Sequence, residues 1–179
     1  MYDIEIELVG GKNAIPDISE AYRVGVKNAL AELKTLIPII LVEKMSNFGL
    51  GGSDLVKTIV VLPLEDGFFV TMTGEYAIFV EYGTGIIGSE MSHPKASEHG
   101  WIYDVNAHGV LGWWYPTVNS DPNPYKWTNP ETGVLYAWTA GQQSRPFMYH
   151  TWLWAKENVE KIVHKHIEIE FEKIGREFR

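Results

Sequence analysis

The sequence predicts an α+β fold, a small and mostly antiparallel sheet packed against a long kinked N-terminal helix and a long C-terminal helix, with an aromatic-rich irregular insertion. Three observations predict it. Apolar residues recur at helical spacing in two long runs near the ends of the chain. Strand-like runs flank Glu65-Asp66-Gly67 between them, and five of the seven tryptophans crowd into residues 86–141. With 179 residues, 45% of them hydrophobic, the chain is read as one domain over 1–179, with 86–141 as an insertion within it.

Taken in order, Tyr2, Ile4, Ile6 and Leu8 alternate with Asp3, Glu5 and Glu7, the period of a strand with one buried face. After Pro16, the Asp17 and Glu20 spacing suits a helix cap. Tyr22, Val26, Ala29, Leu30, Leu33, Leu36, Ile37, Ile40 and Leu41 continue a helix to about Met45, with Pro38 expected to kink it because proline lacks the amide donor. Residues 47–54 form a Gly-rich connector without the Lys-Ser/Thr ending of a nucleotide loop. Residues 55–64 and 68–73 read as a hairpin, giving three expected strands with the N-terminal one. Residues 76–82 are too short for periodicity to decide, and a short helix is favoured over a strand. The final run, 147–179, carries an apolar stripe of Val159, Ile162, Val163, Ile167, Phe171, Ile174 and Phe178, with Ile169 off it, and i,i+4 pairs Glu157–Lys161 and Glu172–Arg176.

Charge and composition exclude several classes. A net charge of −8 and no cluster of Lys or Arg argue against phosphate binding. The absence of cysteine removes disulfides and thiolate ligands. The acidic N-terminus is unlike a signal peptide, and the longest apolar stretch, 36–42, is too short to span a bilayer, so a soluble protein made in the cytoplasm is expected.

The stretch that draws attention is residues 75–85. Tyr76, Phe79, Val80 and Tyr82 surround one carboxylate, Glu81, before the chain turns at Gly83-Thr84-Gly85. A carboxylate in apolar surroundings is costly unless paired, and Arg145, just ahead of Pro146, Phe147 and the last helix, is the expected partner. This motif, followed much later by Ser144-Arg145-Pro146-Phe147-Met148 and an acidic-basic terminal helix, resembles the head–tail joining proteins (tail-completion, minor tail or neck proteins) of long-tailed bacteriophages and prophages. The likeness covers most of the chain outside about 86–141, and the family's Asp-Thr-Gly-Arg-Leu stands here as Gly51-Gly52-Ser53-Asp54-Leu55. It implies a structural, non-enzymatic virion protein with no cofactor, made in the bacterial cytoplasm. It further implies assembly into a ring, with a hexamer as the expected count, between the tail tube protein and the head-side connector protein. An acidic ring would let DNA pass without gripping it. The loops at 49–54 and 86–100 are the expected ring contacts.

Two rivals rest on the insertion. Trp101, Tyr103, Trp113, Trp114, Tyr115, Tyr125, Trp127, Tyr136 and Trp138 are those a glycan- or cell-wall-binding module would use. Such aromatics also cement an irregular, strand-poor insertion, and nothing in the sequence places the rings on one exposed face. A carboxylate-dependent glycan hydrolase would need a pair such as Glu90 and Asp104. His93, His99 and His108 have no recognised metal spacing, so no metal site is expected and a structural or surface role is preferred.

Overall fold

The computed structural model describes residues 14–104, 107–109 and 111–175. The expected strand at Tyr2 to Leu8, together with Arg176 and Phe178, lies outside them.

Two helices form the frame, α1 (Ala14–Asn47) and α4 (Phe147–Lys173). They run antiparallel: Ile18 and Ala21 meet Ile167 and Phe171, whereas Leu41 and Met45 meet Phe147. On α1 the buried positions Ala21, Gly25, Ala29, Leu33, Leu41 and Met45 repeat every fourth residue or a multiple of it, forming an i±4n ridge. Ala29, Leu33 and Leu41 of the expected stripe lie on this ridge, and Ala21 and Gly25 stand where Tyr22 and Val26 were expected. Tyr22 is exposed, and the small residues beside it carry the closest approach, a Cβ at Gly25 lying only 2.7 Å from the Cα of Ile167. Asp17 and Glu20 are no cap either, since the helix has begun by Ala14 and Glu20 instead pairs with Arg23 at 2.7 Å. Pro38 sits inside one uninterrupted helix, which packing holds together across the missing donor. On α4, Glu157 and Lys161 form no bridge among the described residues; Lys173 and Glu170 do, at 2.7 Å.

A 3₁₀ turn (Asp54–Thr58) takes the first part of the expected strand at 55–64. β1 (Ile59–Leu64) and β2 (Gly67–Met72) then form an antiparallel hairpin across Glu65-Asp66. Ile59, Val70 and Met72 pack into the main core with Leu41, Met45 and Phe147. The other face carries Leu62, Leu64 and Phe69, which are 49%, 53% and 60% exposed. After it come α2 (Ala77–Tyr82), the short helix expected, and α3 (Gly85–Glu90).

The insertion is not strand-poor. β3 (Trp113–Pro116), β4 (Lys126–Thr128) and β5 (Leu135–Thr139) make an antiparallel sheet in the order β3-β5-β4, and β6 (Gly141–Gln142) leads back toward α4. The turn between β3 and β4 is tied by Asp121, which accepts from the Tyr115 hydroxyl at 2.9 Å, from the Thr117 hydroxyl and from the Asn123 amide at 2.8 Å. Register places Trp114 opposite Trp138 and Trp127 opposite Tyr136, so all four rings share one face, with Trp114 46% and Trp127 49% exposed.

Candidate functional site

Phe147 begins α4, and its cap position is Pro146, whose side chain offers no acceptor. The first-turn amides therefore need an acceptor from elsewhere, and α2 supplies it. Glu81, 6% exposed, accepts from Met148 N–H through Oε2 and from Tyr149 N–H through Oε1, both at 2.9 Å. A carboxylate from another element thus performs the work of a capping side chain, in the positive field of the helix start.

A third donor fixes the geometry. The Lys95 amide donates to His93 Nδ1 at 3.0 Å, so the imidazole proton sits on Nε2 and donates to Glu81 Oε1 at 3.1 Å. Burial holds His93 below the ordinary histidine range, with the charges of His99 and His150 acting the same way. Burial also pushes the Glu81 carboxyl up to about 7, against the pull of the amides at the start of α4. Both nitrogens of His93 are engaged, so neither is available to take a proton from a substrate.

The expected Glu81–Arg145 ion pair does not form. Arg145 contributes its backbone, its N–H donating to Val80 O at 2.9 Å, and the side-chain partner of Glu81 is the neutral imidazole of His93. A helix start is itself electropositive, which sequence reasoning passed over in favour of a full charge. Arg145→Ala is accordingly expected to cost under about 1 kcal/mol, as for a half-buried cation with no ion pair among the described residues, and a thermal midpoint lowered by more than a few degrees would contradict this.

The glycines of Gly83-Thr84-Gly85 allow two chain segments to cross. Thr84 bridges Gln142 and Gly85 bridges Gly141, while Gly85 N–H donates to Tyr103 O at 2.8 Å. A Cβ at Gly83 would lie 2.7 Å from Ser144 N, and one at Gly85 would overlap the Ala140 carbonyl. Around this crossing the aromatic residues of the motif are layered: Tyr82 lies 4.2 Å from His93 and 4.8 Å from Trp101, and Phe79 lies 6.1 Å from Trp101. Tyr76 stands apart, 71% exposed at the start of α2.

Glu81 and His93 form one wall of a cleft of about 710 Å³, bounded by Thr71 and Met72 of β2, by Ile78 of α2 and by Tyr149 and Trp152 of α4. His99 also lines it; His108 lies elsewhere, stacked on Trp113 at 6.1 Å. Residues 86–100, expected as a mobile contact loop, contain α3 and the buried His93 and Ala96, so this segment is part of the support of Glu81. Asp104 of the hydrolase pair accepts from the Gly109 amide at 2.7 Å, while Glu90 ends α3 in an exposed position. Among the described residues no group of three His, Asp or Glu side chains could hold a metal ion, and no helix is long and apolar enough to cross a membrane.

No protein-family model, curated protein or solved structure matches the chain.

The pH behaviour of Glu81 follows from burial. Its folded value of about 7 stands above the 4.5 of an ordinary glutamate, so its contribution to stability is complete below about pH 4.5 and is lost as pH rises through about 7. Glu81→Gln, which stays neutral, is expected to flatten that part of the stability profile. Identical slopes for the two proteins between pH 5 and 7.5, measured by denaturant titration, would show that Glu81 does not titrate there.

Proposed function

We propose that this chain is a structural subunit of a phage particle, assembling as a ring, hexameric by the resemblance, where the tail tube meets the head-side connector. The observation that carries this reading is the hairpin. One face of β1 and β2 packs into the core, and the other presents Leu62, Leu64 and Phe69 to solvent on a chain of otherwise acidic character. An exposed apolar row of this kind marks a surface made for a protein neighbour. Ring closure needs two different patches on each copy, and a negative lining would leave a DNA polyanion free to pass. The test is light scattering of the purified protein followed by electron microscopy with tail tubes of the encoding particle. Multimers that cap tube ends are expected; a monomer that leaves the ends bare overturns the reading.

A second reading, a glycan-binding module, is favoured by one observation, the shared face of Trp114, Trp127, Tyr136 and Trp138. The rings meet at angles of 61°, 64° and 36°, so they interlock more than they form a flat stacking floor. Saturable quenching of tryptophan fluorescence by cell-wall fragments would favour it over the ring. Its absence is the expected outcome.

A further inference from the structure

The two edges of the β1–β2 hairpin are chemically unequal. Thr73 N–H donates to Thr58 O at 2.9 Å, which makes those residues a hydrogen-bonded pair next to the ladder. Pairs alternate along an antiparallel ladder, so Val60–Thr71, Leu62–Phe69 and Leu64–Gly67 exchange hydrogen bonds, whereas Ile59–Met72, Val61–Val70 and Pro63–Phe68 do not. Residues of the second set turn their backbone groups away from the partner strand. On β1 that outward row includes Pro63, which has no N–H, and a proline at this position blunts an edge. On β2 the outward row is Phe68, Val70 and Met72, each with a donor and an acceptor, and β2 has no second neighbour among the described residues. The inner end of that edge opens into the cleft. Thr71 and Met72, whose side chains point to opposite faces, both line it, and no residue of β1 does.

We propose that the open edge of β2 receives residues 2–8 of a second copy of this chain as an added strand. Tyr2, Ile4, Ile6 and Leu8 alternate with Asp3, Glu5 and Glu7, a strand pattern of a length that fits the six residues of β2. The same copy cannot lay this segment along its own β2. Leu8 lies within about 20 Å of Ala14, the reach of six extended residues. Val70 and Met72 pack against the cluster of Leu41, Met45, Leu50 and Phe147, whose α1 members stand about 40 Å or more from Ala14 at roughly 1.5 Å per helical residue. Each copy then carries one donor segment and one acceptor edge, a heterologous contact of the kind that closes a ring. The choice of a second copy as donor rests on the ring reading above.

The test uses the full chain, Phe68→Pro, Ile4→Pro and a synthetic peptide of residues 1–10. Phe68→Pro removes an outward donor and repeats the blunting that Pro63 gives the opposite edge, leaving the β1 pairing in place; Ile4→Pro interrupts the alternating pattern of the donor segment. Both variants are expected to keep the helical circular dichroism of the parent and to associate at least tenfold more weakly by light scattering. The peptide is expected to bind Ile4→Pro protein and to slow hydrogen exchange at the Phe68, Val70 and Met72 amides. If the full chain forms multimers, neither proline weakens them and the peptide protects none of these amides, strand addition is overturned while the ring stands. If the full chain is monomeric yet these amides are already protected, the strand is added within one copy and the proposal fails. If the full chain neither self-associates nor caps tail tubes, the ring reading fails, and peptide protection alone decides whether the β2 edge accepts this strand.

Discussion

Glu81→Ala is expected to lower the thermal midpoint by roughly 10 °C, the equivalent of about 3 kcal/mol in a chain of this length. Three donors lose their acceptor at once: the Met148 and Tyr149 amides and the His93 Nε2–H. Loss of a helix cap costs about 0.5–2 kcal/mol, and a buried donor left unsatisfied costs about 1–3 kcal/mol. The cleft beside the site admits water to part of this surface, which keeps the sum below simple addition. The comparison that isolates the cap is His93→Ala, which removes one of the three donors and is expected to cost less. Equal losses for the two variants would mean that the α4 amides gain nothing from Glu81.

Gly141→Ala is expected to cost at least about 3 kcal/mol, because a left-handed backbone and a steric overlap add at one position. Gly141 has φ +97°, and a Cβ there would overlap the Thr84 carbonyl across the bridge that joins β6 to the start of α3. Backbone on both sides leaves no flexible side chain to yield. Gly133 provides the control, with φ +70° and nothing near a built Cβ, so alanine there carries only the conformational cost of about 1 kcal/mol. A folded Gly141→Ala protein as stable as Gly133→Ala would refute the crossing as a rigid brace.

Much of the fold was legible because its signals are local. The hairpin declared itself by the turn at Glu65-Asp66-Gly67, and α4 by its apolar period, with Ile167 and Phe171 each 2% exposed. On α1, Ala29, Leu33 and Leu41 of the expected stripe are buried, but Ala21 and Gly25 were passed over for Tyr22 and Val26 because small residues carry little hydrophobic signal, yet they let helices approach closely. The sheet of the insertion was illegible: strands of three to five residues offer too few alternations, and what holds them is cross-strand pairing between Trp114 and Trp138 and between Trp127 and Tyr136. At the site, the burial of Glu81 could be read from its neighbours, but its partner could not. Two backbone amides have no sequence signature, and His93 meets Glu81 across a separation of 12 residues that contains α3. The one available clue was Pro146, a cap position unable to cap.

The antiparallel pair α1 and α4 buries two separate apolar clusters, one toward each end. Where α1 finishes, Leu41 and Met45 are sealed by Phe147, the hairpin and the 3₁₀ turn; nearer its start, Ile18 and Ala21 meet Ile167 and Phe171, with Val26 and Val163 beside them among the described residues. Amides near Leu41, at the centre of the larger cluster, should therefore exchange only when the whole chain unfolds. A neighbour seated on the hairpin would raise that opening energy further, because Ile59, Val70 and Met72 of the hairpin pack against the same cluster.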